Sequence, residues 1–441
     1  MTIGLRISYY TYMKFELLHP ADQLVMIMDR IYTGNMTTMS GGNISVMDGE
    51  GDVWITPSGI DKGALTRRDI CQVKPDGTVI GPHRPSVELP FHRQVYQARS
   101  DVRAVVHAHP PALVSFSLTR TAPPTDIIPT PHIVVGKVGV AKYEVPGSKI
   151  LGERIAAKFA DGCNAVIMEN HGVVTCGDDV FRAFERFETL EYCAELNIQS
   201  RKLGTPVTLT AKQIQLAVNR GQANLGEFIP AERTSQEKEA RYAMCNLLKR
   251  AYTKKLFASS QGTFSQRLTG DSFLITPTGA DRLYMEPADL VRVDNGWREA
   301  GKRPSRSVLL HRQIYKQHPD INAIAIAYPA NVMAFGITRA ELDARTIPES
   351  YIMMRSLNRV PFGTAHTDVQ KVSDLVSESA PLVLVENDSL IVTGKSLINC
   401  FDKLEVSEFT AKTLIAAQSI GKPVRISDAE VAEINKAFGL K

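Results

Sequence analysis

The sequence predicts two α/β domains in tandem, each with helices flanking a multistranded sheet. The chain has 441 residues, which is too long for one small hydrophobic core. Its composition, with 44% hydrophobic and 22% charged residues, is that of an ordinary globular protein. Long segments of the first half return in the second half, so the two domains are expected to share one fold.

The repeat is clearest around the middle of each half. RPSVELPFHRQVYQARSDVRAVVHAHP begins at Arg84 and matches RPSRSVLLHRQIYKQHPDINAIAIAYP, which begins at Arg303, without a gap at an offset of 219 residues (303 − 84). WITPSG from Trp54 likewise returns as LITPTG from Leu274. Solenoid repeats have units of roughly 20 to 50 residues, so this period indicates a duplicated domain.

The boundary is predicted near Pro230, in a stretch interrupted by glycine and proline that follows one helical segment and precedes another. The predicted domains are therefore residues 1–229 and 230–441.

Each copy shows the same order of predicted elements. A helix around residues 21–33 is followed by short β-rich runs, a helix over residues 91–98 and further β-rich runs such as AVVHAHP and NAVIMENHGVVTCG. After Asp178, apolar residues recur at three- and four-residue spacing and predict a long amphipathic helix. Helices that flank a sheet in this way form an α/β or α+β sandwich, and propensity leaves the strand order open.

Charge and cysteine usage point to no special class of partner. The net charge of +4 comes from 51 basic and 47 acidic side chains spread along the chain, without a basic arm for nucleic acid. The six cysteines lack paired spacing, which is typical of reduced thiols in the cytoplasm. Residues 1–13 make a poor signal peptide, and no apolar run reaches the roughly 20 residues of a membrane helix. We expect a cytoplasmic protein without nucleic-acid or membrane partners.

Three histidines form a candidate metal site in the first copy. His107 and His109 are two residues apart on a predicted strand, so both imidazoles point to the same face. His171 follows another β-like run, at a turn before a glycine. Three imidazoles with one open position are typical of a catalytic zinc site, although an isolated HxH arises as often by chance or core packing.

The repeat distinguishes these alternatives, because the second copy has lost all three imidazoles together. The replacements are Ile326 for His107, Tyr328 for His109 and Asp388 for His171. Three unrelated packing residues would not be expected to disappear in concert. The pattern therefore indicates one ligand set that is kept in the first copy and abandoned in the second.

Glu88 precedes a predicted helix and is a candidate general base, because a Lewis-acidic metal needs a nearby carboxylate to move protons. Its counterpart is Ser307, so the carboxylate disappears with the imidazoles. The alternative is an acidic residue placed to stabilise the helix dipole. His92 is retained as His311 in the second copy, which favours a structural role for it.

These motifs, taken in order, resemble the class II aldolase/adducin family over residues 21–203, and more faintly in the second copy. They are SGGNIS from Ser40, ITPSG from Ile55, PSVE from Pro85, HAH from His107 and ENHG from Glu169. The resemblance implies two three-layer α/β/α sandwiches, each with a mixed, mainly antiparallel sheet. It also implies that His107, His109 and His171 bind one Zn²⁺ per chain, in the first copy only, and that Glu88 is the acid/base residue.

The resemblance further implies a phosphate site made of main-chain amides and hydroxyls, in which glycine lets the backbone approach the anion. The matching positions are Gly42, Asn43, Ser58, Gly59 and Ser86. Val87 departs from the pattern, because closely related aldolases carry a second hydroxyl residue there. This departure leaves open whether the substrate must be phosphorylated.

The function that this resemblance implies is reversible, zinc-dependent aldol cleavage of a ketose 1-phosphate to dihydroxyacetone phosphate and an aldehyde. Dehydration, epimerisation or decarboxylation of a sugar or sugar-acid phosphate is the alternative within the superfamily. A non-catalytic, adducin-like scaffold is the alternative from another class.

The resemblance finally implies a fourfold ring in which a tyrosine from the neighbouring subunit reaches each site. His132 lies in the corresponding region of the first copy, whereas the second copy has Tyr351 there. We therefore expect a homo-oligomer, either a dimer as a pseudo-fourfold ring or a tetramer, in which Tyr351 is a catalytic residue supplied by an adjacent second copy. Packing alone is the alternative role for Tyr351.

Overall fold

The computed structural model describes residues 15–440, which divide into two compact units. The first unit contains residues 15–198, and the second contains residues 199–440. The sequence predictions for residues 1–13 lie outside the described residues. The predicted boundary near Pro230 lies later in the chain than this division, and it stays a prediction about where the repeated copies join.

The first unit is an eight-stranded sheet with helices on both faces. Its strands are β1 (Asn43–Met47), β2 (Val53–Ile55), β3 (Cys71–Val73), β4 (Val79–Ile80), β5 (Ala104–Ala108), β6 (Val138–Ala141), β7 (Ala165–Met168) and β8 (Gly172–Gly177). Its helices are α1 (Pro20–Thr33), α2 (Leu89–Ala98), α3 (Pro111–Leu118), α4 (Pro129–Val134), α5 (Lys149–Ala160) and α6 (Val180–Arg201), with single 3-10 turns at Phe15–Leu17 and Arg67–Asp69.

The sheet order in the first unit is β4-β3-β2-β1-β5-β8-β7-β6. All neighbouring pairs are antiparallel except β6 and β7. The three central strands β1, β5 and β8 bring the ends of distant chain segments together, with Asn43 opposite His107 and His107 opposite Val174. This register places the candidate metal ligands at one end of the central strands.

Side-chain alternation along the strands separates two helical layers. Val105 and Val174 pack with Phe91 of α2 and Ile155 of α5 in one core cluster. Adjacent strand residues point to the opposite face, which α1 and α3 cover. The first unit is therefore a three-layer α/β/α sandwich, as predicted.

The second unit repeats this plan with a nine-stranded sheet. Its strands are β9 (Glu227–Phe228), β10 (Thr263–Arg267), β11 (Phe273–Ile275), β12 (Val291–Asp294), β13 (Trp297–Glu299), β14 (Ala323–Ala327), β15 (Leu357–Val360), β16 (Leu382–Val385) and β17 (Ser389–Gly394). Its helices are α7 (Ala211–Val218), α8 (Ser235–Thr253), α9 (Val308–Gln317), α10 (Ala330–Thr338), α11 (Pro348–Met354), α12 (Thr364–Thr367), α13 (Val369–Leu375), α14 (Leu397–Ala417) and α15 (Asp428–Phe438).

The second sheet has the order β15-β16-β17-β14-β10-β11-β12-β13-β9, and its pairs are antiparallel except β15–β16 and β13–β9. Strand β9 has no counterpart in the first sheet and extends the edge at β13. The mixed, mainly antiparallel sheets predicted for both copies are confirmed.

Two further features bear on the sequence predictions. All six cysteines lie within the described residues, and each is buried and unpaired. Over residues 15–440, no helix combines the length and apolar character that crossing a membrane requires.

Candidate metal centre

Three imidazoles converge where the central strands of the first unit end. His107 lies on β5, and His109 follows one residue after that strand ends at Ala108. His171 occupies the turn between β7 and β8, directly after Asn170, whose positive φ of 55° tightens that turn. Strand pairing between β5 and β8 holds this turn beside the end of β5. The three residues predicted as metal ligands are therefore neighbours in space.

The geometry of the cluster suits a single ion. The ring centroids are 4.8 Å apart for His107 and His109, 5.0 Å for His107 and His171, and 5.2 Å for His109 and His171. One ligand atom from each ring lies within 4.8 Å of the others. Buried nitrogens of two rings, Nε2 of His109 and Nδ1 of His171, lack hydrogen-bond partners among the described residues, and Nε2 of His107 lies 3.2 Å from the Glu88 carboxylate.

The environment of His107 fixes which nitrogen faces the centre. Its Nδ1 lies 2.9 Å from the carbonyl oxygen of Val173, a group that can only accept a hydrogen bond. Nδ1 must therefore carry a proton and donate it, which leaves Nε2 for the cluster. A backbone carbonyl in this role orients a metal-binding imidazole.

Two glycines let the backbone approach this cluster. Gly42 has a φ of +72°, and a β-carbon there would lie 2.8 Å from the carbonyl oxygen of His107. A β-carbon on Gly172 would lie 2.7 Å from the ring of His109 and 2.7 Å from the carbonyl oxygen of Ala108. The second copy keeps Gly262 for Gly42 but has Ser389 for Gly172, so the close approach was lost with the imidazoles.

Glu88 points its carboxylate into the cluster from the N-terminal end of α2. Its Oε2 lies 3.2 Å from Nε2 of His107, and its Oε1 lies 3.7 Å from Nε2 of His171. Asn43 donates a hydrogen bond of 2.8 Å to Oε2, whereas Oε1 is buried without a hydrogen-bond partner among residues 15–440. Glu88 is only 5% exposed, so this carboxylate is shielded from water.

Burial and charge set the protonation states in the cluster. Burial opposes ionisation of Glu88, yet His107, the Asn43 hydrogen bond and His171 hold the pKa of its carboxyl well below the usual range. Burial, together with His107, lowers the pKa of His109 to about 3 and that of His171 to about 4. His109 and His171 are therefore neutral imidazoles at pH 7, which is the form that binds a metal.

A buried hydrogen-bond chain supports Glu88 from behind, and the sequence did not predict it. The side-chain oxygen of Asn43 lies 2.6 Å from Nε2 of His92, and Nδ1 of His92 lies 2.7 Å from the hydroxyl of Ser45. Ser45 in turn contacts the hydroxyl of Tyr96 at 2.6 Å. The chain runs from Glu88 through Asn43 to the core and orients the carboxylate.

The second unit retains only the inner part of this chain. His311 Nδ1 lies 2.7 Å from Ser265 Oγ, which lies 2.7 Å from the hydroxyl of Tyr315. Thr263 stands where the first copy has Asn43, and Ser307 stands for Glu88. The contacts among the histidine, the serine and the tyrosine persist in the second unit. The asparagine and the glutamate, which lie beside the histidine cluster in the first unit, have been replaced. This difference between the two copies is the signal in the sequence from which the role of Asn43 could have been inferred.

The residues predicted to bind phosphate lie on adjacent loops. A backbone bridge between Pro57 and Pro85 brings the loop of Ser58 and Gly59 beside Ser86. Ser86 is 7% exposed, and its hydroxyl accepts a hydrogen bond from the backbone N–H of Glu88. Lys62 holds this turn with a 2.6 Å bond to the carbonyl of Pro57.

Asn43 differs from the other predicted phosphate residues, because both ends of its amide already bond Glu88 and His92. Gly42 precedes it at the end of the central strand. The phosphate assignment of Gly42, Asn43, Ser58, Gly59 and Ser86 stays a prediction, as do the catalytic role of Glu88 and the ligand roles of the histidines.

A second group of acidic residues in the first unit, at Asp48, Glu50 and Asp52, lies in the turn between β1 and β2, and its hydrogen bonds stabilise that turn. Asp48 accepts hydrogen bonds from the backbone N–H groups of Glu50 and Asp52 and from the indole of Trp54. Asp52 pairs with Lys74 at 2.6 Å. These contacts occupy the carboxylates of Asp48 and Asp52.

Tyr351 lies on α11 in the second unit. Its hydroxyl donates a 3.1 Å hydrogen bond to the side-chain oxygen of Asn435 on α15, and the guanidinium of Arg355 lies 5.8 Å from its ring centre. Its predicted role at the site of a neighbouring subunit stays a prediction.

Comparison with known proteins identifies the family. A model described as Class II Aldolase and Adducin N-terminal domain matches residues 22–198 and again residues 242–415. The chain belongs to the class II aldolase family. The two matches confirm the tandem duplication, and each contains one of the two sheets apart from strand β9.

Individual relatives of this class II aldolase family member span one copy. An L-fuculose phosphate aldolase of Methanococcus maripaludis is 34% identical over 175 residues, which is 40% of this chain and 94% of that protein. A 3-oxo-tetronate 4-phosphate decarboxylase of Haemophilus influenzae is 31% identical over 205 residues, covering 45% of this chain and 96% of that protein. A solved structure of an L-fuculose 1-phosphate aldolase is 32% identical, covers 45% of this chain and 93% of that one, and has a TM-score of 0.41.

Proposed function

We propose that the first copy is a zinc-dependent lyase that cleaves a ketose 1-phosphate reversibly to dihydroxyacetone phosphate and an aldehyde. The observation that carries this proposal is the convergence of three imidazoles and the Glu88 carboxylate, in which Nε2 of His109, Nδ1 of His171 and Oε1 of Glu88 are buried without hydrogen-bond partners among the described residues. Buried polar atoms without partners are costly, and an ion bound there would satisfy them. Neutral imidazole donors suit zinc.

The residues of the first unit have separate tasks in this proposal. His107, His109 and His171 would hold one Zn²⁺ per chain, which when bound supplies Lewis acidity for negative charge that develops on the substrate. Glu88 would accept and return a proton at its Oε1, the carboxylate oxygen that Asn43 leaves unoccupied. The hydroxyls of Ser58 and Ser86 and the backbone at Gly42 and Gly59 would bind the substrate phosphate.

Decarboxylation is the second candidate, because relatives of similar identity are named 3-oxo-tetronate 4-phosphate decarboxylase. Dehydration and epimerisation share the same requirement for a metal and a proton-transferring carboxylate. The hydroxyl positions and Glu88 are equally compatible with these substrates.

Two measurements test the proposal. Metal analysis of the purified chain is expected to find about one zinc per chain, and a chain without bound metal would favour the adducin-like scaffold. A panel of ketose phosphates and phosphorylated sugar acids is then monitored for released aldehyde or carbon dioxide. Aldehyde and dihydroxyacetone phosphate from a ketose 1-phosphate are the expected products, and carbon dioxide from a sugar acid would replace the aldolase with the decarboxylase.

We further propose a cytoplasmic homo-oligomer, either a dimer as a pseudo-fourfold ring or a tetramer, in which Tyr351 of an adjacent second copy completes each site. The six buried, unpaired thiols are compatible with a reducing compartment. A proton donor supplied by a second copy would explain why that copy persists without metal ligands.

A further inference from the structure

The second unit has kept one part of the candidate site and lost another. Its metal ligands and the carboxylate are gone, yet hydroxyl and glycine residues remain in the two loops that face them. Thr278 and Gly279 stand for Ser58 and Gly59, and Ser305 stands for Ser86. A backbone bridge between Pro277 and Pro304 joins the loops as in the first unit.

The hydroxyls of these loops form a connected set. Ser305 Oγ lies 2.8 Å from Thr263 Oγ1 and 3.0 Å from Ser307 Oγ. Thr278 donates a 2.9 Å hydrogen bond to the carbonyl of Pro304 and accepts one of 2.7 Å from the side chain of Gln222. Gln222 belongs to the segment between the two family matches, so that segment reaches the loops.

Positive charge has been added at the same place. Arg306 occupies the position of Val87, and its guanidinium lies 3.5 Å from the carbonyl oxygen of Arg220. Burial is the main cause that lowers the pKa of His366. The positive charges of Arg220 and Arg306 lower this pKa further, and the negative charge of Asp388 opposes them. Tyr328 is the replacement for His109. Burial and the charge of Asp388 raise the pKa of Tyr328, and the charges of Arg220 and Arg306 oppose them. Arg306 follows Ser305 directly, and Nε of Arg220 is buried without a hydrogen-bond partner among residues 15–440, so positive charge lies beside the hydroxyl loops.

Buried donors and acceptors near these arginines lack partners. Nε2 of His311 is buried and has no hydrogen-bond partner among the described residues, whereas the same atom of His92 bonds Asn43 in the first unit. His311 is fully buried, and the residue that replaces Asn43 in the second copy is Thr263, whose hydroxyl bonds Ser305 instead. Both ring nitrogens of His366 are also buried and unpartnered within residues 15–440.

We infer that the second unit holds a metal-independent binding site for a phosphate monoester, formed by Thr278, Ser305, Arg306 and Arg220. Thr278 fixes the loop through its hydrogen bond to the carbonyl of Pro304, and the Ser305 hydroxyl and the two guanidinium groups donate hydrogen bonds to the tetrahedral phosphate group. The arginines supply the positive charge that a metal ion would otherwise provide. Without imidazole ligands or a carboxylate at position 307, the site binds its ligand and does not cleave it.

This inference does not rest on the proposed lyase activity, and the first unit supplies a matched reference. Full-length chain stripped of metal with EDTA is dialysed to equilibrium against radiolabelled inorganic phosphate. Ser58→Asp blocks the predicted site of the first unit, since a carboxylate repels the anion. In that background Arg306→Val restores the residue of the first copy, and Arg220→Gln removes the second guanidinium. Lys412→Gln, which removes an exposed charge from α14, is the control.

The Ser58→Asp chain is expected to bind one phosphate, and each arginine substitution is expected to weaken that binding about tenfold or more. Thermal unfolding of the variants is followed to confirm that they fold. A Ser58→Asp chain that binds no phosphate, or arginine variants with Kd values within about twofold of their parent, would overturn the inference. If Ser58→Asp leaves binding unchanged while the arginine substitutions abolish it, the site of the second unit is supported and the phosphate assignment in the first unit fails.

Discussion

Individual side chains of the first unit divide into those that face the candidate metal and those that orient them. His107, His109 and His171 each bring one ring nitrogen within 4.8 Å of the others. Val173 orients His107 through its backbone carbonyl, and Asn43 orients Glu88 through its amide. The sequence predicted the first group through the repeat, because the second copy lacks those residues. It did not predict Asn43 as a partner of Glu88, since that contact depends on the register of β1 and β5.

Loss of one imidazole is expected to remove the metal. His109→Ala leaves two of three ligands, so zinc content and lyase activity should fall together. Metal analysis by mass spectrometry measures the first and product release the second. His132→Ala removes an exposed histidine of the same unit and should leave zinc content at the level of the unmodified chain. Full zinc occupancy in His109→Ala would exclude His109 from the ligand set.

Loss of the carboxylate charge is expected to separate binding from chemistry. Glu88→Gln keeps the size of the side chain and the three imidazoles, so the chain should still bind zinc. Proton transfer through this residue would fail, and kcat should fall at least roughly 100-fold. Glu153→Gln, at an exposed site on α5, is the control for a lost carboxylate. Near-normal turnover in Glu88→Gln would assign the proton transfer to another group.

A negative charge in the predicted phosphate loop is expected to act on substrate binding. Ser58→Asp places a carboxylate where the phosphate would lie, so KM for a phosphorylated substrate should rise at least about tenfold, while zinc content stays unchanged. Ser115→Asp introduces the same charge at an exposed position on α3 and controls for surface charge. An unchanged KM in steady-state kinetics would contradict the phosphate assignment.

At the scale of elements, the long helices and the β-rich runs were predictable from periodicity, and the pairing order was not. The helix predicted over residues 21–33 is α1, and the one after Asp178 is α6. The run NAVIMENHGVVTCG forms two strands, β7 and β8, with His171 in the turn between them. His109 was predicted on a strand but lies just beyond the end of β5. Strand order depends on contacts distant in sequence, which local propensity does not report.

An ion-pair network in the second unit joins α8 to strands β12 and β13. Arg241 is buried and bonds Glu237 at 2.8 Å and Glu299 at 3.0 Å. Lys302 also contacts Glu299, at 3.0 Å. Burial opposes ionisation of Glu299, but Lys302 and Arg241 lower its pKa from 4.5 to about 2. For Lys302, burial lowers the pKa, Glu299 opposes this shift, and the charges of Arg241 and Arg233 lower the pKa further.

Glu299→Gln is therefore expected to destabilise the second unit in a pH-dependent way. A carboxyl whose pKa is lowered on folding stabilises the folded state above its unfolded pKa, near 4.5, and this stabilisation is lost as the pH falls towards about 2. At pH 7 the loss should be roughly 2 to 4 kcal/mol, and it should shrink as the pH falls from 4.5 towards 2.

Calorimetric unfolding over that pH range measures the difference between Glu299→Gln and the unmodified chain. Glu378→Gln removes a carboxylate from an exposed pair with Lys395 and should leave the unfolding transitions where they are. A Glu299→Gln chain that is as stable as the unmodified chain at pH 7 would show that the network contributes specificity without net stability.

At the scale of the whole molecule, duplication has produced two units with one architecture and different side chains at the candidate site. The repeat in the sequence revealed the shared fold and the loss of the ligands. The sequence did not reveal strand β9, which lies in the segment between the two family matches. The reason is that this segment has no counterpart in the repeat. Gln222 comes from this segment and bonds Thr278, so the segment that joins the copies contacts a loop of the second unit.

Retention of the second copy is explained by catalysis if Tyr351 supplies a proton to the site of a neighbouring subunit. Tyr351→Phe removes one hydroxyl, so assembly and zinc content should stay unchanged while kcat falls at least about tenfold. Sedimentation, metal analysis and steady-state kinetics measure the three quantities. In the present structure this hydroxyl bonds Asn435, and a purely structural role would instead lower the thermal stability of Tyr351→Phe and leave kcat unchanged. Asn435→Ala separates the two, because it removes the partner within the chain and keeps the hydroxyl. Catalysis should survive Asn435→Ala and decline in Tyr351→Phe; equal, unimpaired rates in both would reduce the second copy to a scaffold for the first.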